Sequence, residues 1–213
     1  MVIPMKRNVS AGALAGFFIG LLSLPVSYNV GLGTLFGLSP IAIALILWAM
    51  TIVGIVIGIV LGKILPVLFQ LSKFVVVGVL NTLVDFGVLN LLIAIFSVAT
   101  GIGYAIFKSI SFIVAVANSF AWNKYWTFES HKKTDYYEVL SFLAVSVVGF
   151  FINVISASVV VNFVPILFGL SSVVWANVGA LTGTILAFTW NFLGYKLFVF
   201  KDKKPAPASH VTQ

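Results

Sequence analysis

Polar positions cluster along this chain, and between the clusters lie six apolar runs, each long enough to cross a bilayer. No Asp, Glu, Lys or Arg occurs between residues 8 and 62, or between 139 and 195. Each of these stretches is too long for one span and suits two spans and a turn, since one span takes about 20 apolar residues. Breaker residues divide the runs. The first span covers residues 8–27 and is closed by Pro25 and the glycine-rich stretch that follows. Pro40 opens the second at a first-turn position, where a missing N–H costs nothing, and Lys63 ends it. The third runs over 74–96, Gly101 and Gly103 make a turn, and the fourth runs over about 104–126. The charged stretch 129–138 reads as a solvated loop. The fifth and sixth spans cover about 139–163 and 173–198. The predicted fold class is therefore all-α, a polytopic transmembrane helical bundle of six spans.

Composition narrows the class further. The chain is 61% hydrophobic and 8% charged, with a mean hydropathy of +1.18. A soluble domain carries about 25% charged residues, so lipid must be the solvent over most of this surface. The net charge of +7 raises the question of nucleic acid. The basic residues stand at the ends of apolar runs, however, which is the pattern of membrane orientation, and no nucleic acid partner is expected. Lys6, Arg7, Lys63, Lys73, Lys132, Lys133, Lys201, Lys203 and Lys204 all fall on one side of the predicted topology, and the three opposite loops are uncharged. The positive-inside rule then places both termini in the cytoplasm of a multi-pass cell (inner) membrane protein. Lys6 and Arg7 before an apolar run resemble a signal peptide, but the run has no clear small-residue cleavage site and reads as a retained signal-anchor.

The last four spans contain an echo. Phe120, Trp122 and Asn123 recur as Phe188, Trp190 and Asn191, and the segment from Lys124 to Phe128 recurs more loosely from Lys196 to Phe200 after four extra residues. Two hairpins of two spans each, duplicated in parallel, account for this. Glycines at 12, 16 and 20, and again at 54, 58 and 62, are spaced for close helix packing and make the first two spans natural partners.

Two charges lie within spans, Asp85 and Lys108. At ~1.5 Å per residue they fall at comparable depths of adjacent antiparallel helices, and an unpaired charge there costs about 2.5–3.5 kcal/mol, so pairing is expected. Asn81 shares a face with Asp85. Lys108, Ser111, Ala115, Asn118 and Trp122 form one polar, small-residue stripe, and Asn153, Asn177, Thr184 and Asn191 add further polar groups. Singly, such groups do no more than join helices, at ~0.6 kcal/mol each. Together with a Lys and an Asp they can line a groove for a polar headgroup. Lys73, Lys124 and Lys196 sit among Trp122, Tyr125, Trp126, Trp190 and Tyr195. This is either an aromatic belt with snorkelling lysines or a lipid-phosphate site. No cysteine is present, no metal set appears, no catalytic motif is found, and no cofactor is expected.

The stretch Lys73-Phe-Val-Val-Val-Gly-Val-Leu-Asn81-Thr-Leu-Val-Asp85, then Lys108-Ser-Ile-Ser111, Asn123-Lys124-Tyr-Trp126-Thr-Phe128 and Asn191-Phe-Leu-Gly-Tyr-Lys196, resembles the GtrA-like membrane proteins. The resemblance covers about residues 70–201. It implies a four-span module like that fused to some dolichol-phosphate mannose synthases, and a role in moving polyprenyl-phosphate sugars for cell-surface polysaccharides. By position it marks Asn81, Asp85, Lys108, Ser111, Asn123, Lys124 and Asn191. The chain departs in having Lys124 where the family often has Arg, and in the extra spans near its start. The domain reading is 1–65 for a two-span extension, 70–201 for the GtrA-like domain and 202–213 for a disordered tail. The expected function is a non-enzymatic flippase for a polyprenyl-phosphate-linked sugar. The alternative is a non-transporting scaffold that recruits a glycosyltransferase and its lipid. A small channel or solute transporter is the weakest reading. Expected partners are the sugar lipid, a membrane glycosyltransferase, membrane lipids and a second copy of the chain. Expected substrate-binding residues are Asn81, Asp85, Lys108, Ser111, Asn118, Asn123, Lys124, Trp126, Asn191 and Lys196.

Overall fold

The computed structural model describes residues 5–30, 37–98, 101–130, 132–169 and 172–201, and at some helix positions, Lys108 and Asn177 among them, the backbone alone. The tail from residue 202 lies outside the described residues. Six long helices appear among those described: α1 (Met5–Val30), α2 (Pro40–Gly62), α3 (Pro66–Phe96), α4 (Gly101–Trp122), α5 (Tyr136–Phe163) and α6 (Ser172–Gly194). Two five-residue π-helices, π1 (Asn123–Thr127) and π2 (Tyr195–Val199), continue α4 and α6. Length and hydropathy qualify four helical segments to cross a membrane: Met5–Ser27, Pro40–Gly62, Pro66–Ile93 and Tyr136–Phe163. The other two helices, α4 and α6, hold 22 and 23 residues, about 33–35 Å at 1.5 Å per residue, which also matches a ~30 Å hydrocarbon core.

Helix boundaries follow local chemistry and correct three expectations. Pro25 does not close the first helix but lies inside it, and α1 runs on to Val30. Proline is tolerated within membrane helices because neighbouring groups satisfy the freed backbone. The third helix starts eight residues earlier than predicted, with Pro66 in its first turn, and reaches 31 residues. Gly101 and Gly103 belong to the first turn of α4. The turn residue is instead Ser97, which ends α3 in the left-handed region at φ 56°. Pro40 opens α2 as expected, with the Ser39 hydroxyl accepting from the Ala42 N–H at 3.1 Å.

The chain divides into two compact units, Met1–Glu129 and Ser130–Gln213. In the first, α1 packs on α2 and α3, and α3 packs on α2 and α4. Ala15, Ile19, Ile55, Ile59, Val77 and Leu80 form its buried core. A Cβ on Gly20 would stand 2.7 Å from the Ala44 carbonyl oxygen, and one on Gly16 would stand 2.9 Å from both Thr51 and Trp48. Gly16 and Gly20 therefore admit the α2 backbone itself and Gly12 the Ile55 side chain, and the Trp48 indole donates across the seam to the Ala13 carbonyl at 3.0 Å. The α2 glycines do something else: Gly54 faces open space, and Gly58 faces Ser72 of α3.

In the second unit α5 and α6 form a hairpin. Trp190 Nε1 donates to the Val145 carbonyl at 3.0 Å, Tyr195 and Ser146 share a hydrogen bond at 2.7 Å, and Phe142 stacks on Tyr195 at 4.5 Å. The two units repeat one device. In each, the phenylalanine after the π-helix donates its N–H to the first π-helical carbonyl at 2.8 Å, Phe128 to Asn123 and Phe200 to Tyr195. The same ring meets a phenylalanine of the hairpin's first helix, Phe74 at 6.2 Å and Phe142 at 6.3 Å. Lys124 and Lys196 each take the second π-helical position. The looser of the two sequence echoes thus has a backbone cause.

Candidate functional site

Two contacts set the register of α3 against α4 and π1. Ser111 Oγ donates to the Asp85 carboxylate at 2.6 Å, and Lys73 Nζ donates to the Trp126 carbonyl at 2.7 Å. Lys73 lies about 18 Å along α3 from Asp85 at 1.5 Å per residue, and Asn123 about 18 Å from Ser111 along the antiparallel chain. Within this seam Asn81 stands about 6 Å from the level of Asp85, and Asn118 about 10 Å from that of Ser111, both toward the Lys73 end. Ser111 and Ala115 are buried while Phe112, Ile113 and Val114 are exposed, so the polar, small-residue stripe of α4 from Ser111 onward is its inward face.

The seam holds polar atoms that the described side chains do not satisfy. Asn81 Oδ1, Asn118 Nδ2, Asn123 Oδ1 and Trp126 Nε1 are buried and have no hydrogen-bond partner among the described residues. Each such group costs about 1–3 kcal/mol relative to a satisfied one. The Asn123 amide nitrogen is occupied locally, donating to the Ser119 carbonyl at 2.9 Å. Lys124 is fully buried, with Nζ 5.8 Å from the Phe120 ring and 6.0 Å from that of Tyr125. It does not snorkel along the surface as a belt lysine would. The side chain of Lys108 lies outside the described residues, and with it the expected ion pair to Asp85.

Asn191 and Lys196 belong to the second unit. Asn191 packs against Gly149, its Oδ1 buried with no partner among the described residues, and Lys196 Nζ lies 5.7 Å from the Phe192 ring. Asn153 reaches Thr184 at 3.4 Å, which is the helix-joining use of such groups.

Sequence reasoning missed a charged cluster where the seam ends. Lys73 is 2% exposed and also donates to Glu129 Oε1 at 2.9 Å, while Arg7 holds Glu129 Oε2 at 2.7 Å. Partial burial works against the Glu129 carboxylate, but hydrogen bonds and positive charge from Lys73 and Arg7 outweigh it and hold its pKa below the ordinary glutamate value. The stretch 129–138 is thus not simply solvated. Asp135 caps α5 by accepting from the Glu138 N–H at 2.8 Å, and Glu138 is buried. The available signal was scarcity: with five acidic residues against twelve basic ones, each acid beside an apolar span calls for a named partner.

The model of the GtrA/DPMS transmembrane domain matches residues 73–200. The chain belongs to this family. The match begins at Lys73, inside α3, and leaves α1 and α2 ahead of it. The chain is also 34% identical over 135 residues to the uncharacterized membrane protein YngA of Bacillus subtilis (strain 168), across 62% of this chain and 80% of that protein. No solved structure matches significantly. This GtrA/DPMS protein is a multi-pass helical membrane protein.

Proposed function

We propose that the protein is a flippase that moves a polyprenyl-monophosphate-linked sugar from the cytoplasmic to the outer leaflet of the cell membrane, for cell-surface polysaccharide synthesis or modification. The observation that carries the reading is the α3–α4 seam. A carboxylate held by a serine, followed along the same line by Asn81, Asn118 and Asn123 with donor and acceptor atoms unmet among the described residues, sits inside helices otherwise built of Val, Leu, Ile and Phe. A hydroxyl-rich headgroup offers both donors and acceptors, so it can satisfy such a line where an acyl chain cannot. Each unit carries its own lysine for the phosphate, Lys196 in the second and Lys124, buried until the seam admits the headgroup, in the first, and Lys108 balances its charge in transit. Transport runs downhill, driven by consumption of the sugar lipid outside.

The test is leaflet exchange of a labelled polyprenyl-phosphate sugar in proteoliposomes. Asp85→Ala and Lys108→Ala are each expected to slow exchange at least tenfold. Unchanged rates in both variants end the site assignment. Absence of exchange with the parent protein, together with co-purification of a glycosyltransferase, supports the scaffold reading instead. The exposed pair Tyr136 and Tyr137 at the start of α5 is the surface that reading would use.

A further inference from the structure

A cleft of about 360 Å³ opens between the first two turns of α1 and the far end of α4 with π1, lined by Arg7, Ala11, Ala121, Trp122, Tyr125 and Trp126. We propose that this cleft binds the phosphoryl headgroup of a membrane lipid, with Arg7 as the cation that holds it. Four features carry the assignment.

The first is charge. Arg7 and Lys73 share a single carboxylate, Glu129, so the cluster keeps one positive charge in excess, and no acidic side chain lines the cleft. The second is donor geometry. A guanidinium offers a fork of N–H groups that fits phosphate oxygens bidentately, and the Arg7 side chain is 55% exposed, bound to Glu129 from one side. The third is depth. Arg7 stands where α1 enters its apolar run, beside Trp122, Trp126 and Tyr125, and amphipathic rings of this kind settle at the level of lipid headgroups. The fourth is space. Ala11 and Ala121 leave room beneath the two indoles, which pack edge to face at 5.4 Å, and the volume falls in the range of small-molecule sites, about 300–1,000 Å³.

Arg7 and Ala11 precede the matched family domain, whereas the aromatic residues lie within it. The cleft therefore exists because α1 packs against that domain in the same compact unit. This gives α1 a use beyond packing.

The test is native mass spectrometry of the full chain in detergent. It is titrated separately with a polyprenyl monophosphate, phosphatidylglycerol, the uncharged polyprenol and inorganic phosphate. The parent is expected to retain the two phosphate lipids and not the polyprenol. Arg7→Gln is expected to lose at least tenfold in retention, and Arg7→Lys less. Ala11→Leu, which fills the cleft and leaves the Arg7–Glu129 pair in place, is expected to lose retention too, and it carries the test alone if Arg7→Gln fails to fold. Preference for the polyprenyl lipid identifies it as the ligand, and equal retention identifies bulk anionic lipid; either supports a phosphoryl site. Retention unchanged in Arg7→Gln and Ala11→Leu, or inorganic phosphate displacing the lipids with the same Arg7 dependence, overturns it. Leaflet exchange is not read, so a protein that binds the lipid without moving it fails the flippase reading and leaves this one standing.

Discussion

Glu129 is the residue on which the charged end of the first unit turns. Its backbone lies in the left-handed region at φ 50°, which costs a non-glycine residue about 1–2 kcal/mol. That conformation persists because each carboxylate oxygen is held, one by Lys73 and the other by Arg7. Glu129→Ala is expected to lower the thermal stability of the detergent-solubilised protein, since it takes from the buried Lys73 its carboxylate partner. Glu129→Gln is expected to cost less, because its amide oxygen still accepts from Lys73. The pH dependence follows from the lowered pKa. The carboxylate contributes fully above its ordinary value of 4.5, and the contribution is lost as pH falls below that through the folded pKa. The melting-temperature gap between the parent and Glu129→Gln should therefore close on going from neutral pH to below 4.5. A gap that stays constant would exclude the ion bridge as its source.

At the scale of elements, the packing of α1 on α2 depends on missing side chains. Gly20→Ala places a methyl group against the Ala44 carbonyl and is expected to destabilise by about 1–3 kcal/mol, the usual range for overpacking. Gly54→Ala, with nothing within 4 Å, is the control and should be neutral. Unfolding of both variants in detergent decides the matter, and equal stability would mean that the helices do not meet there. The glycine spacing in the sequence identified the right pair of helices but not the contact, because spacing says which face is small and not what fills it. The spans themselves were legible, since runs of Val, Leu and Ile without charges admit no other solvent than lipid. The two π-helices were not. Their extra residue per turn leaves no mark in hydropathy, only the displaced echo between Lys124 and Lys196. The seam was half legible: Asn81, Asp85 and Ser111 stood out as polar groups among apolar ones. The bridge from Arg7 to Glu129 to Lys73 joins residues too far apart in sequence for any spacing rule to connect.

At the scale of the whole molecule, the six helices and the placement of basic residues give a topology that can be read chemically. The chain has no cysteine, so single replacements report cleanly. Leu38→Cys and Leu167→Cys are expected to react with an impermeant maleimide in intact cells. Lys63→Cys and Lys133→Cys should react only after the membrane is opened. Labelling of all four from outside would sink the six-crossing arrangement. The length of α3 has a further consequence. Its 31 residues extend about 46 Å at 1.5 Å per residue, well beyond a ~30 Å hydrocarbon layer, and a tilt within the usual 0–40° absorbs only part of the difference. The excess is the two turns from Pro66 to Lys73, which therefore stand in the headgroup layer with the Arg7–Glu129 pair, and the remaining 23 residues measure about 35 Å. Such an overhang marks where lipid gives way to water, so a polarity-sensitive label on Val67→Cys should report a wetter surrounding than one on Val79→Cys.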